Sequence, residues 1–180
     1  MGADRAVESG MTQPSSDAQA RYDDDVFAWS LEQADVLRAM RGRAGLPNGL
    51  DLENVIEEIA GVGNSQLSGV ESYVRLILVH AIKCVSSASS EPKRHWRAEI
   101  ANFHADLLPR YSPSMRRALD LDLIWRRAVG QAQAQLEERD ESVAPGLSGR
   151  CPVDFADLVG ETIAVDVLLA RISDPGTTPP

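Results

Sequence analysis

L-D-L-E-N-V-I-E-E-I-A-G-V-G-N-S-Q-L-S-G-V-E-S-Y-V-R-L-I-L-V-H-A-I-K-C-V, from Leu50 to Val85, decides the fold. In its first part Leu52, Val55, Ile56 and Ile59 fall at the i, i+3, i+4, i+7 spacing of one helical face. Asp51 is placed to cap that helix, and Glu53 suits the positive end of its dipole. Gly61 and Gly63 then predict a joint, with Asn64 or Ser65 placed to cap a second helix. That second pattern carries Leu67, Val70, Val74, Ile77, Leu78, Ala81 and Val85, the most apolar stripe in the chain. At 100° per residue Lys83 points about 170° from the stripe, into solvent, while His80 lies about 110° off, at its edge. A helix this apolar is expected at the centre of a bundle, with Leu78 in the middle of the core.

On the N-terminal side, Asp23, Asp24 and Asp25 give an acidic first turn to a helix starting at Tyr22. Its expected buried stripe is Phe27, Leu31, Ala34, Leu37 and Met40, with Trp29 at the side. Gly42, Gly45, Pro47, Asn48 and Gly49 make the loop into the central pair. Residues 1–20 are small and polar and are expected to be a disordered tail; Met11 competes with Met1 as the true start. On the C-terminal side, S-S-A-S-S-E-P ends the long pattern because Pro92 cannot continue it. Trp96, Ile100, Phe103 and Leu107 make a one-sided helix closed by Pro109. Ser112-Pro113 is expected to open another, running to about Arg139 through Met115, Leu119, Trp125, Ala128, Ala132 and Leu136. After a loop from Val143 to Pro152, Asp154 caps a last helix through Leu158, Ile163, Val167 and Leu168. No alternating strand pattern and no repeat appears. The expected fold is all-α: a single-domain bundle of about six helices over residues 21–173, with a second disordered tail over 174–180.

Composition bounds the function. At 180 residues, 43% hydrophobic and 25% charged, the chain is long enough for one well-filled core. Eighteen Lys and Arg against 27 Asp and Glu give a net charge of −9. That balance disfavours general binding to nucleic acid or anionic membranes. Cys84 and Cys151 form neither a disulfide framework nor a C-x-x-C pair. A reducing, cytoplasmic home is expected. No apolar run approaches the ~20 residues of a membrane span, and no signal-peptide core opens the sequence.

Several segments together point to a family: Y-D-D-D-V-F-A-W-S-L-E-Q-A-D-V-L-R, L-D-L-E-N-V-I-E-E-I, R-L-I-L-V-H-A-I-K, R-H-W-R-A-E-I, Y-S-P-S-M-R-R-A-L and C-P-V. In this order they resemble the bacterial "domain of unknown function 29" family, over about Tyr22 to Leu158. The resemblance implies a compact helical bundle from bacteria and implies no activity. The chain departs from the pattern at Gly61 and Gly69, where helix formers are usual, and in a short region around Glu91-Pro92-Lys93-Arg94.

Three constellations carry candidate chemistry. If the first two core helices lie side by side, Glu58 and His80 both sit at the edge of the apolar seam. A carboxylate beside an imidazole supports acid–base work, although a polar link between helices is the favoured reading. Glu57 points about 150° away and is expected in solvent. His80, Cys84, His95 and His104 are four candidate zinc ligands, but no C-x-x-C, H-E-x-x-H or Glu-x-x-His pair frames them. No metal site and no cofactor are expected. No G-x-S-x-G elbow and no phosphate-binding glycine loop appears.

The third constellation is basic. Lys93, Arg94, Arg97, Arg110, Arg116, Arg117, Arg126 and Arg127 crowd into one region, against Glu99, Asp106, Asp120 and Asp122. Arg94, Arg97, Arg116, Arg117, Arg126 and Arg127, with Trp96 and Tyr111 nearby, are candidates for gripping an acidic partner. Contacts to protein, or to the acidic helices of the same bundle, are favoured over nucleic acid. The favoured function is a non-catalytic module that binds another protein, itself included. The alternative is an acid–base or metal-dependent enzyme using Glu58 and His80 in an interhelical seam.

Overall fold

One helix, α1 (Val26–Arg38), lies against the first half of a much longer one, α2 (Leu52–Ser86), in a computed structural model that describes residues 21–174. The expected tails, apart from Asp174, and the choice of start at Met1 or Met11 lie outside the described residues. α2 is continuous for 35 residues, about 52 Å at 1.5 Å per residue. The joint expected at Gly61 and Gly63 is absent, and the two central patterns form one helix.

The reason lies in the phase of the apolar seam. Ile56, Ala60, Gly63, Leu67, Val70, Val74, Ile77, Ala81 and Cys84 are spaced alternately four and three, and the alternation does not slip at the glycines. That is the 3.5-residue period of helices packed knobs-into-holes. Gly63 is a point of close approach. A Cβ there would collide with Ser30 Oγ and lie 3.3 Å from the carbonyl oxygen of Phe27. Ser30 is itself buried and donates its hydroxyl to that same carbonyl at 2.9 Å. By contrast, a Cβ at Gly61 or Gly69 would meet nothing within 4 Å.

Aspartates start the helices. Asp25 caps α1 by accepting from the Ala28 amide at 2.9 Å, so the acidic triplet precedes the helix instead of filling its first turn. Residues 21–24, where the described chain begins, are also helical. Asp51 caps α2 by accepting from the Asn54 amide at 3.2 Å, as its position predicts.

The C-terminal half of α2 is wrapped on every side. α3 (Ser90–Leu107) and α4 (Leu121–Glu137) pack along it, and α6 (Val165–Ser173) adds a further contact. Val74, Ile77, Leu78, Val79, Ala81 and Ile82 are all fully buried there. This corrects the placement of Lys83 in solvent: the residue is 7% exposed. Its Nζ donates to Gln135 Oε1 at 2.8 Å and lies 4.6 Å from the centroid of the Trp96 ring. Helical phase predicts exposure only when one side of a helix is covered.

Between α3 and α4, Leu108–Arg110 and Pro113–Arg117 form two 3-10 turns. The helix expected from Ser112 therefore begins at Leu121, where Asp120 caps it by accepting from the Leu123 amide at 2.9 Å. The last expected helix divides as well. α5 (Phe155–Val159) opens with a capping box between Asp154 and Asp157, and the chain turns at Gly160 before α6. The intervening loop is tied down by Trp125 Nε1, which donates to the Ser148 carbonyl at 2.8 Å, and by Ser86 Oγ, which accepts from the Ala144 amide at 2.9 Å. The fold is all-α, with no strand among the described residues.

Candidate functional site

Glu58 and His80 do not meet. Both belong to α2, twenty-two residues apart, which is about 33 Å along the axis. The interhelical seam between them required a break at the glycines, and α2 has none. Glu58 is exposed on the far half of the helix, as is Glu57. His80 is half-buried among α2 and α3, with its ring 5.2 Å from that of Phe103. Its Nδ1 donates to the Leu76 carbonyl at 2.9 Å, which leaves Nε2 to accept in the neutral form. Burial holds the imidazole below its ordinary pKa; the bond to Leu76 opposes this, Lys83 and His95 add to it, and Glu99 opposes it. The carboxylate whose charge reaches His80 is thus Glu99 on α3, a residue the sequence pattern did not single out.

The four candidate zinc ligands do not converge. Cys84 is buried, its Sγ 3.8 Å from the Lys93 carbonyl, and burial raises its pKa, so the thiol stays protonated. His95 is exposed. His104 is buried and donates Nε2 to the Gly160 carbonyl at 3.0 Å, pinning the turn between α5 and α6. Among the described residues no group of three or more His, Cys, Asp or Glu is disposed to hold a metal ion.

The arginines divide into two sets. Arg97 pairs with Asp166 at 2.7 Å, Arg127 with Glu71 at 2.5 Å, and Arg116 lies 5.9 Å from the Phe155 ring centroid. Those three are engaged within the bundle. Arg94, Arg117 and Arg126 are exposed on three different elements and carry no ion pair among the described residues.

What the structure brings together is apolar. Tyr22, Val36, Leu50, Val55 and Val62 are exposed, at 45%, 56%, 39%, 37% and 40%. All five lie on the arm formed by α1, the turn before it, the following loop and the first half of α2. On α2, Val55 and Val62 are seven residues apart, with half-buried Ile59 between them. On the N-terminal side Tyr22, Trp29 and Val36 repeat at the same interval, and Tyr22 packs edge-on against Trp29 at 4.8 Å. At 100° per residue Val55 and Val62 lie about 110–130° from the centre of the seam residues Ile56, Ala60, Gly63 and Leu67, and Trp29 and Val36 about 130–155° from that of Phe27, Ser30 and Ala34, so both rows face outward from the arm. Near the start of α1, Val26 and Gln66 line a cavity of about 240 Å³ with Asp23, Asp24, Asp25, Phe27, Met115 and the segment Pro109–Ser112. There Ser112 Oγ donates to Asp25 Oδ1 at 3.0 Å. Sequence reading assigned Val55 to the buried stripe; the seven-residue spacing of Tyr22, Trp29 and Val36 was the available signal for a second face.

The profile of the family described as "Domain of unknown function DUF29" matches residues 21–162. The chain belongs to that family. A crystal structure of an α-helical protein of unknown function from Rhodospirillum rubrum is similar to this DUF29 chain at 38% identity and a TM-score of 0.77, over 84% of this chain and 96% of that one. No curated protein matches the chain with significance. No helix of this DUF29 protein, among the described residues, is long and apolar enough to cross a membrane.

A second concavity in the DUF29 chain lies between α2 and α4. It is an open groove of about 530 Å³ lined by Ser68, Glu71, Ser72, Arg75, Arg127 and Gln131. The Glu71–Arg127 ion pair and a hydrogen bond from Arg75 to Gln131 cross it. Its polar groups hold α4 to α2.

Proposed function

We propose that this DUF29 protein is a non-catalytic helical module that binds another protein through the open face of its arm. The observation that carries the reading is the gathering of exposed large apolar residues. Tyr22, Val36, Leu50, Val55 and Val62 belong to the arm, and Val167 is the one exposed large hydrophobic of the described residues outside it. Scattered apolar residues need no explanation, but five of the six on one arm are a concentration of the kind that marks an interaction site. Asp51, Glu57 and Glu58 along the same arm repel a polyanion, which favours a protein over nucleic acid.

A photo-crosslinking residue placed at Val62, with Arg126 as the control position, tests the proposal in the native host. Covalent adducts to a defined protein, identified by mass spectrometry, are expected from position 62 and not from 126. Adducts from neither position, or from 126 alone, refute the assignment of the arm.

A further inference from the structure

Away from the arm, and independently of it, we infer that the groove between α2 and α4 binds the phosphate group of a small soluble phosphomonoester, with Arg75 as the principal donor. The site is built by spacing. Ser68, Glu71, Ser72 and Arg75 fall at i, i+3, i+4, i+7 on one face of α2, and Arg127 and Gln131 lie one turn apart on α4. Two cross-links, Glu71 to Arg127 and Arg75 to Gln131, join the helices here, while the short serines beside them make no bond across. The resulting groove of about 530 Å³ falls within the range of about 300–1,000 Å³ of small-molecule sites and exceeds a lone phosphate ion. Every lining side chain is polar, so an apolar ligand finds no match.

The donors select an oxyanion. Arg127 donates to Glu71 Oε1 at 2.5 Å, which matches the groove's carboxylate to one guanidinium. Arg75 has no ion pair among the described residues; its partner is the neutral Gln131. A guanidinium can only donate, so Gln131 must meet it with its carbonyl oxygen, and the amide NH2 is left as a further donor. The Ser68 and Ser72 hydroxyls carry no hydrogen bond to any described residue. Two guanidiniums against one carboxylate make the groove a locally cationic place in a chain of net charge −9. A phosphomonoester brings three acceptor oxygens and nearly two charges, enough to engage the fork of Arg75, the Ser72 hydroxyl and the Gln131 amide together. A carboxylate has two oxygens and is filled by the fork alone. Glu71 keeps its second oxygen as an acceptor, which suits a hydroxyl on the organic part of the ester.

The test is an NMR titration of the full chain at fixed ionic strength, read at the backbone amides, with ribose 5-phosphate, inorganic phosphate and acetate as probes. Saturable shifts confined to residues 68–75 and 127–131 are expected from ribose 5-phosphate, with a Kd of about 1 mM or tighter. Inorganic phosphate is expected to move the same amides with weaker affinity, and acetate not to saturate. Arg75→Gln should weaken the ester roughly tenfold, the loss of one charged hydrogen bond, and Ser72→Ala about threefold, the loss of a neutral one. Melting temperatures check the fold of both variants. Ser72→Ala removes a hydroxyl that holds nothing in the bundle, so it decides the matter if Arg75→Gln is destabilised. Equal affinity for inorganic phosphate and the ester would assign free phosphate and overturn the ester. Acetate binding as tightly as phosphate, shifts spread equally to Arg94 and Arg117, affinity unchanged in Ser72→Ala, or no saturation by any probe would overturn the site.

Discussion

Replacing Gly63 by alanine isolates the close approach of α1 to α2, because the same substitution at Gly61 and Gly69 supplies an internal control on the same helix. At Gly61 and Gly69 the added methyl meets nothing within 4 Å, so each change is expected to stabilise by about 0.5–1 kcal/mol through helix propensity. The reduction in unfolded-chain freedom is common to all three sites and cancels in the comparison. At Gly63 the new Cβ collides with Ser30 Oγ and sits 3.3 Å from the Phe27 carbonyl oxygen, a backbone atom that cannot swing aside. Overpacking of this kind costs about 1–3 kcal/mol, so Gly63→Ala should be less stable than the mean of the two controls by roughly that amount. Urea denaturation followed by circular dichroism measures the midpoints, with an unchanged slope confirming that stability alone has moved. Ser30→Ala vacates the space at the cost of a local hydroxyl bond, and Ser30→Ala/Gly63→Ala should recover most of the loss. A Gly63→Ala protein as stable as Gly61→Ala would refute the close approach and reinstate the glycines as a joint.

Leu78 is fully buried in the C-terminal half of α2, so Leu78→Ala should cost about 2–5 kcal/mol from lost transfer energy and a residual cavity, read as a lowered denaturation midpoint. His80 carries a pH dependence: its folded pKa is lowered, chiefly by burial, so its contribution to stability is present above the unfolded value of 6.5 and is lost as pH falls through the folded pKa. His80→Gln abolishes that titration, and its melting temperature should fall less than that of the wild type on acidification from about pH 7.5 to 5. Parallel acid profiles for the two proteins would contradict the assignment.

Much of this was legible because α2 obeys its own period. The caps at Asp51 and Asp154, the buried course of Val70, Val74, Ile77 and Leu78, and the one-sided pattern of Trp96, Ile100 and Leu107 follow from spacing alone. The glycines misled because propensity was weighed locally. The unbroken phase of Ile56, Gly63 and Val70 was present in the same letters, and a true joint would have shifted it. Lys83 and Glu99 were not legible. Their surroundings depend on how far α3 and α4 wrap α2 and with what rotation, which no single helix encodes. The exposed residues of the arm were half legible, since the seven-residue spacing of Val55 and Val62 can be read from the letters, but which residues α1 covers depends on its crossing at Ser30 and Gly63.

The 35-residue span of α2 joins two regions of unequal solidity. Its last turns are locked by neighbours on all sides, whereas among the described residues its first turns are held by α1 and by Arg41 of the loop that follows α1, which pairs with Glu53. Opening free energy must therefore decline along a single hydrogen-bonded ladder, from the global value near Ile82 toward that of a frayed end near Leu52. A rod graded in this way ties events at its loose end to the rest of the molecule without any hinge. Whatever grips the first turns suppresses their opening, and that added order passes inward from residue to residue through the helix itself.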